Sequence, residues 1–308
     1  MQPPLIGHPQ RLEPLKNFLG FIAKAKDPIL ITGPTGAGKK RTIQFLVENG
    51  PLNQNPLFFL NGLTFTEDLW DHARGVLQTR GTLVIEDLHF LSLPLQAKLK
   101  NWLAGKKPLF NEPLETTSDW RIICTSSSPQ DIWDNLVYDF PYRLQLPSLN
   151  QVIEDIPYHL RYFLQGKSIR YLRYFFLLKT FFHQWQGNLR ELEHYLIQAM
   201  AYYSSKSIEK AFPKDEEVFG ETTIRYYQDI LKGEWWYYPY RFLPNFTNNL
   251  DEILTKTDFR SKILEEKLVS PLMKEEPGFL VFDLAEPEFE KKANQVYTLF
   301  LDYLKLQT

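Results

Sequence analysis

Cysteine is almost absent: Cys124 is the single one in 308 residues, which excludes an intrachain disulfide and any multi-cysteine metal site. Also missing is an apolar run long enough to cross a bilayer. The opening residues, MQPPLIGHPQRLEPL, have neither the basic start nor the apolar core of a secretory signal, so a cytoplasmic protein without membrane contact is expected. No sign of charge dominates. With 35 Lys and Arg against 37 Asp and Glu, the formal net charge of −2 gives no overall attraction for a polyanion, and nucleic acid is not an expected partner. Internal repeats and low-complexity tracts are lacking too. What remains is an ordinary globular composition, 44% hydrophobic and 23% charged, which at this length predicts a chain folded throughout around more than one core.

Four short apolar runs, "PILIT" (28–32), "PLFFL" (56–60), "TLVIED" (82–87) and "WRIICTS" (120–126), are continuous rather than alternating. Such strands belong inside a sheet buried on both faces. Helical patterns separate them, so residues 1–150 are expected to form an α/β domain with a parallel sheet sandwiched by helices. "SLPLQAKLKNWL" reads as one of those helices, capped by Ser92, with Pro94 in its first turn and Leu95, Leu99 and Trp102 on one face. Strand signals then stop, and residues 151–206 are expected to form a small all-helical subdomain. A third region, 207–308, carries the aromatic cluster "EWWYYPYRFLPNF" and ends in a helix whose stripe is Phe289, Ala293, Val296, Phe300 and Leu304.

The stretch "ITGPTGAGKKRT" places Gly33, Gly38 and Lys39 in the order G-x-x-x-x-G-K, between a buried strand and a helix. Glycines let backbone N–H groups turn toward a phosphate, the helix N-terminus adds partial positive charge, and a lysine there reaches the β- and γ-oxygens. The residues expected around a nucleotide are Gly33, Thr35, Gly36, Ala37, Gly38, Lys39 and Lys40. Lys40 stands where a hydroxyl usually meets Mg²⁺, so a metal has to rely on other ligands. "LVIEDLHF" supplies two, Glu86 and Asp87, at a strand end where such proteins keep the carboxylates that hold Mg²⁺ and orient an attacking water. The common order is Asp then Glu. Here it is reversed, which lengthens the metal arm and shortens the base arm, and a base must come within about 2.6–3.2 Å of its proton.

Taken in order, "LIGHPQRL", "ILITGPTGAGKK", "FLNGLTFTEDL", "GTLVIEDLHFLSLPLQAKL", "WRIICTSS", "YRLQLPSL", "EDIPYHLRYFL" and "GNLRELEHYLIQA" resemble the AAA+ ATPase domain of bacterial enhancer-binding proteins, the sigma-54-dependent transcriptional activators. The resemblance covers residues 5 to 203. It implies a helical lid over an α/β domain, ATP and Mg²⁺ as ligands, and self-association in which a neighbour's arginine enters the site. It also makes the missing hydroxyl a family trait, since relatives commonly carry Glu after the P-loop lysine. By the same resemblance Asn61 senses the nucleotide, Arg190 in "GNLREL" reaches the γ-phosphate, Gly187 and Asn188 form its turn, and Arg143 in "YRL" is offered to a neighbour.

Departures accompany these matches. Glu86 and Asp87 reverse the family order, Ser127 replaces a sensor asparagine, and Val137 replaces the first of two intersubunit arginines. An arginine finger is worth about 10³–10⁵ in rate. Between "TEDLW" and "GTLVIED" only "DHARGVLQTR" stands where the family carries the sigma-contacting GAFTGA loop. No amino-terminal receiver domain is expected, because the resemblance starts at Leu5, and no helix-turn-helix is recognisable towards the carboxyl end. Bland roles compete throughout: Asn61 closing a turn, Arg143 pairing within the chain, Arg190 as a surface charge, Cys124 as a buried small residue, His89 as structural. The aromatics Trp235, Trp236, Tyr237, Tyr238, Tyr240 and Phe242 suit a core or a protein contact better than nucleic acid, because 208–308 hold 13 basic against 19 acidic side chains. The expected function is an ATP-binding protein, a slow ATPase when subunits associate, that couples nucleotide state to a protein partner through 207–308. The alternatives are a non-hydrolysing scaffold and a regulator acting with sigma-54.

Overall fold

The computed structural model describes residues 5–66, 81–103, 120–166, 171–173, 177–178, 180–181, 183–204, 257–273 and 276–305. Two compact units divide them, Met1–Gln151 and Val152–Thr308.

In the first unit, helix α1 (Pro9–Ala23) leads to β1 (Ile29–Thr32), the phosphate-loop stretch and α2 (Lys39–Glu48). Then follow β2 (Leu57–Asn61), β3 (Gly81–Glu86), α3 (Leu93–Leu103), β4 (Trp120–Ser126), the short α4 (Asp134–Val137) and β5 (Tyr142–Gln145). The five strands form one parallel sheet in the order β2-β3-β4-β1-β5. Period-two geometry divides each inner strand between two cores. Leu30, Leu83, Ile85, Ile122 and Cys124 face one cluster with Leu95 and Leu99 of α3, while Ile29, Ile31, Val84 and Ile123 face another with Leu19 and Ile22 of α1 and Ile43 and Leu46 of α2. That double burial is why these strands read as unbroken apolar runs. The α/β expectation therefore holds, including α3, whose Gln96 N–H donates to Ser92 O at 2.9 Å. Trp102's side chain lies outside the described residues. β5 is a strand that the apolar runs do not announce, because only Leu144 of its four residues is buried.

The second unit holds α5 (Ile156–Leu164), β6 (Tyr171–Arg173), α6 (Asn188–Ser204), α7 (Thr257–Glu265), β7 (Ser270–Met273), β8 (Glu276–Asp283) and α8 (Phe289–Lys305). Residues 151–206 are not all helical, a correction to the sequence expectation. Strand β6 pairs antiparallel with β8, which pairs antiparallel with β7. A three-residue strand satisfies its backbone only through a partner more than 100 residues away, so it leaves no local pattern. The described parts of 207–308 thus fold with those of 151–206 in one unit. The α8 stripe is as expected: Phe289, Ala293, Val296 and Phe300 are fully buried, and each large side chain contributes about 1.5–3 kcal/mol. Leu304's side chain and the aromatic cluster 234–246 lie outside the described residues. No described helix is long and apolar enough to cross a membrane.

Candidate functional site

The stretch after β1 carries three positive φ angles, 149° at Gly33, 81° at Gly36 and 101° at Gly38. Gly38 in the left-handed region is the N-cap of α2, so the backbone turns sharply just ahead of the helix N-terminus, a geometry that suits an anion. A Cβ on Gly33 would sit 2.7 Å from Leu146 O, which bars any side chain there. Lys39 Nζ donates to Gly33 O at 2.6 Å and to Pro34 O at 3.2 Å, bracing the loop across its own mouth. Ala37 is buried and packs into the core under α1 and α2. Thr42 Oγ1, the first hydroxyl of α2, is committed to Gly38 O at 3.3 Å.

The carboxyl ends of β2, β3 and β4 bring the other residues to the same sheet edge. Asn61 lies in register with Glu86 on the neighbouring strand. Gly62 N–H donates to Glu86 O at 2.7 Å, and a Cβ on Gly62 would meet Asp87 O at 2.3 Å, so β2 and β3 end in close backbone contact. Asn61 Oδ1 accepts the Leu63 N–H at 2.9 Å, closing a local turn. Asp87 takes left-handed angles, φ 55° and ψ 51°, and its N–H donates to Thr125 Oγ1 at 3.2 Å. Such a conformation in a non-glycine residue is sparsely populated and is held only by its surroundings. Lys40 Nζ lies 3.9 Å from Glu86 Oε1, joining the loop's helix to the acidic pair.

His89 is more engaged than the sequence suggests. Its Nδ1 is 3.2 Å from Ser126 Oγ and its Nε2 is 3.4 Å from Ser127 Oγ, so two consecutive serines meet one imidazole. Ser126 and Thr125 are site-edge residues that sequence reasoning passes over, although the hydroxyl run "CTSSS" was the available signal. Val137 packs against the apolar core beside α3, and so cannot serve as an exposed polar finger. Arg143 is exposed on the edge strand β5, in register with Leu30. Cys124 is fully buried, and burial pushes its thiol far up, which leaves it inert. No group of three or more His, Cys, Asp and Glu suited to a metal occurs among the described residues.

Arg190 belongs to the second unit, exposed on the first turn of α6. Its turn is well built. Asn188 takes φ 54°, the Gly187 N–H donates to Glu191 Oε2 at 2.7 Å, and His183 Nε2 lies 3.0 Å from Glu191 Oε1. Burial alone raises the Glu191 carboxyl, but the His183 and Gly187 hydrogen bonds outweigh it and hold the group below its ordinary value. A carboxyl lowered on folding contributes stability that is present above its unfolded pKa and is lost as pH falls through the folded one. Glu191→Gln is therefore expected to weaken the second unit at pH 7 and to cost less as pH drops below the ordinary carboxylate range. Urea unfolding at both pH values reads the narrowing gap; a constant gap would show that the charge is irrelevant.

A parallel sheet with a phosphate loop leaving an inner strand, and acids at the end of the next strand but one, is a P-loop nucleoside-triphosphatase fold of the AAA+ kind. The crystal structure of NtrX from Brucella abortus in complex with ATP shares it, with a TM-score of 0.52 at 20% identity over 64% of this chain and 50% of that one. Residues 6–137 match the family model of the Sigma-54 interaction domain. It is 30% identical over 222 residues to an uncharacterized protein in the HyuA 5′ region of Pseudomonas sp. strain NS671, covering 61% of this chain and 75% of that protein. It is 27% identical over 235 residues to the anaerobic nitric oxide reductase transcription regulator NorR of Aeromonas hydrophila, covering 64% of this chain and 46% of NorR. The chain spans about half the length of the curated regulators it matches.

Proposed function

We propose that the chain binds ATP at the loop Gly33–Lys39 and uses the bound nucleotide to govern its own association and its hold on a protein partner. The observation that carries this is the loop itself: three positive-φ glycines, a helix N-terminus and the Lys39 ammonium converge ahead of α2. Such a cradle suits a polyphosphate through backbone N–H donors and a lysine point charge. Thr35, Gly36 and Ala37 complete the cradle. Asn61, Glu86 and Asp87 stand at the adjoining strand ends, where a Mg²⁺ ion on the phosphates would meet carboxylates and supply charge neutralisation.

Hydrolysis is slow in this scheme. Asp87, one methylene shorter than glutamate, is the residue that positions water, and Arg143 of a second copy provides the positive charge that Val137 does not. Phosphate release per chain is expected to rise with protein concentration, as a site completed by a neighbour requires. A rate per chain independent of concentration would sink the shared site. The apolar, partly buried Val137 supports a second version, a scaffold that binds ATP without turning it over. Saturable binding of a fluorescent ATP analogue with no phosphate release at any concentration would select it. Transcriptional regulation, the stated role of NorR, would here proceed without the GAFTGA loop, and a pull-down with sigma-54 is expected to be empty.

A further inference from the structure

The first turn of α2 breaks a local rule. Helix N-termini favour anions, yet Lys39, Lys40 and Arg41 follow one another there and no acid shares the turn. Three cations beside a positive helix end repel one another and the macrodipole, a cost that a bound polyanion would reverse. Lys40 is the one that no phosphate-loop requirement explains. Its side chain is 79% exposed, and its ammonium lies 3.9 Å from Glu86 Oε1, whose side chain is only 20% exposed. The position offers no hydroxyl, and Thr42 Oγ1 already donates to Gly38 O. An ammonium thus stands beside the acid that would otherwise need a divalent cation to face a phosphate.

Resting on the ATP reading above, we propose that Lys40 is a tethered substitute for part of the metal's charge: it screens Glu86 from the incoming triphosphate, so nucleotide binding here depends little on Mg²⁺. Lysine suits this role because its compact ammonium pivots on a flexible stem between the carboxylate and a phosphate oxygen. When Lys40 turns to the phosphate it remains close to Glu86, and neither charge is left bare. The metal is then needed for turnover rather than for binding, which separates two functions that a hydroxyl at this position would tie together.

The test is fluorescence titration with N-methylanthraniloyl-ATP in magnesium and in excess EDTA. For the wild-type chain the dissociation constant is expected to rise by less than about threefold without magnesium, whereas for Lys40→Thr it rises by more than about tenfold, the scale measured for close charge pairs. Lys40→Arg, which keeps the charge, behaves as wild type. Because Lys40 is exposed, these variants fold, and a matching far-ultraviolet spectrum checks it. A wild-type rise of tenfold or more, or equal ratios for wild type and Lys40→Thr, overturns the proposal while leaving ATP binding intact. No saturable binding in either buffer overturns both readings.

Discussion

Arg121→Ala is expected to remove about 3–5 kcal/mol of stability from the first unit, measured by urea unfolding, because it takes a charged donor from Leu46 O, leaves Ile22 O with only the Ala25 N–H at 3.2 Å, and deletes a buried side chain. Arg121 is 1% exposed on the inner strand β4, and its guanidinium runs under the ends of two helices. Nη1 donates to Leu46 O at 2.6 Å and Nη2 to Ile22 O at 2.9 Å, so one residue ties the last turns of α2 and α1 to the sheet. Carbonyls at a helix C-terminus have no partner in their own helix, and a cation is favoured there. Burial pushes the guanidinium down to about 10, so it stays protonated at neutral pH. Arg121→Met separates the contributions, since it keeps most of the volume and loses the donors. Its expected loss is about 1–3 kcal/mol. A methionine variant as stable as wild type would mean that the two hydrogen bonds contribute nothing beyond packing.

Arg121 also marks the limit of what a sequence displays. β1, β3 and β4 are legible as continuous apolar runs because both faces of each are covered. An arginine inside "WRIICTS" looks like an interruption until Leu46 and Ile22 are seen beneath it. The phosphate loop is legible for a different reason: its function sits within seven residues and fixes residue types by local backbone geometry. β5 and β6 are not legible, since a strand of three or four residues borrows its hydrogen bonds from partners far along the chain. For the same reason the sequence displays each half of the Lys40–Glu86 and His89–Ser127 pairs but not their meeting. Lys40 reads alone as an odd substitution and Ser127 alone as a lost sensor. Across 46 and 38 positions of chain they become an ammonium against a carboxylate and an imidazole against a hydroxyl.

Lys39→Ala is expected to abolish nearly all stabilisation of the first unit by ATP. Its ammonium donates to Gly33 O and Pro34 O, two acceptors it must partly exchange for phosphate oxygens on binding. A hydrogen bond made by a charged group is worth about 1.5–3 kcal/mol, so deleting this one is expected to weaken binding by about a hundredfold. Ligand at a hundred times the dissociation constant stabilises the native state by about 2.7 kcal/mol. At the same ATP concentration the variant would sit near its own dissociation constant, where the gain is only about 0.4 kcal/mol. For a unit of this size the melting midpoint of wild type then rises by about 5–10 °C with ATP, and that of Lys39→Ala by about 1–2 °C. Without nucleotide the two should melt close together, because the lost contacts are to loop carbonyls at a half-buried edge. A variant that melts early without ATP yet keeps the full ATP shift would assign Lys39 to the fold and take the triphosphate away from this loop.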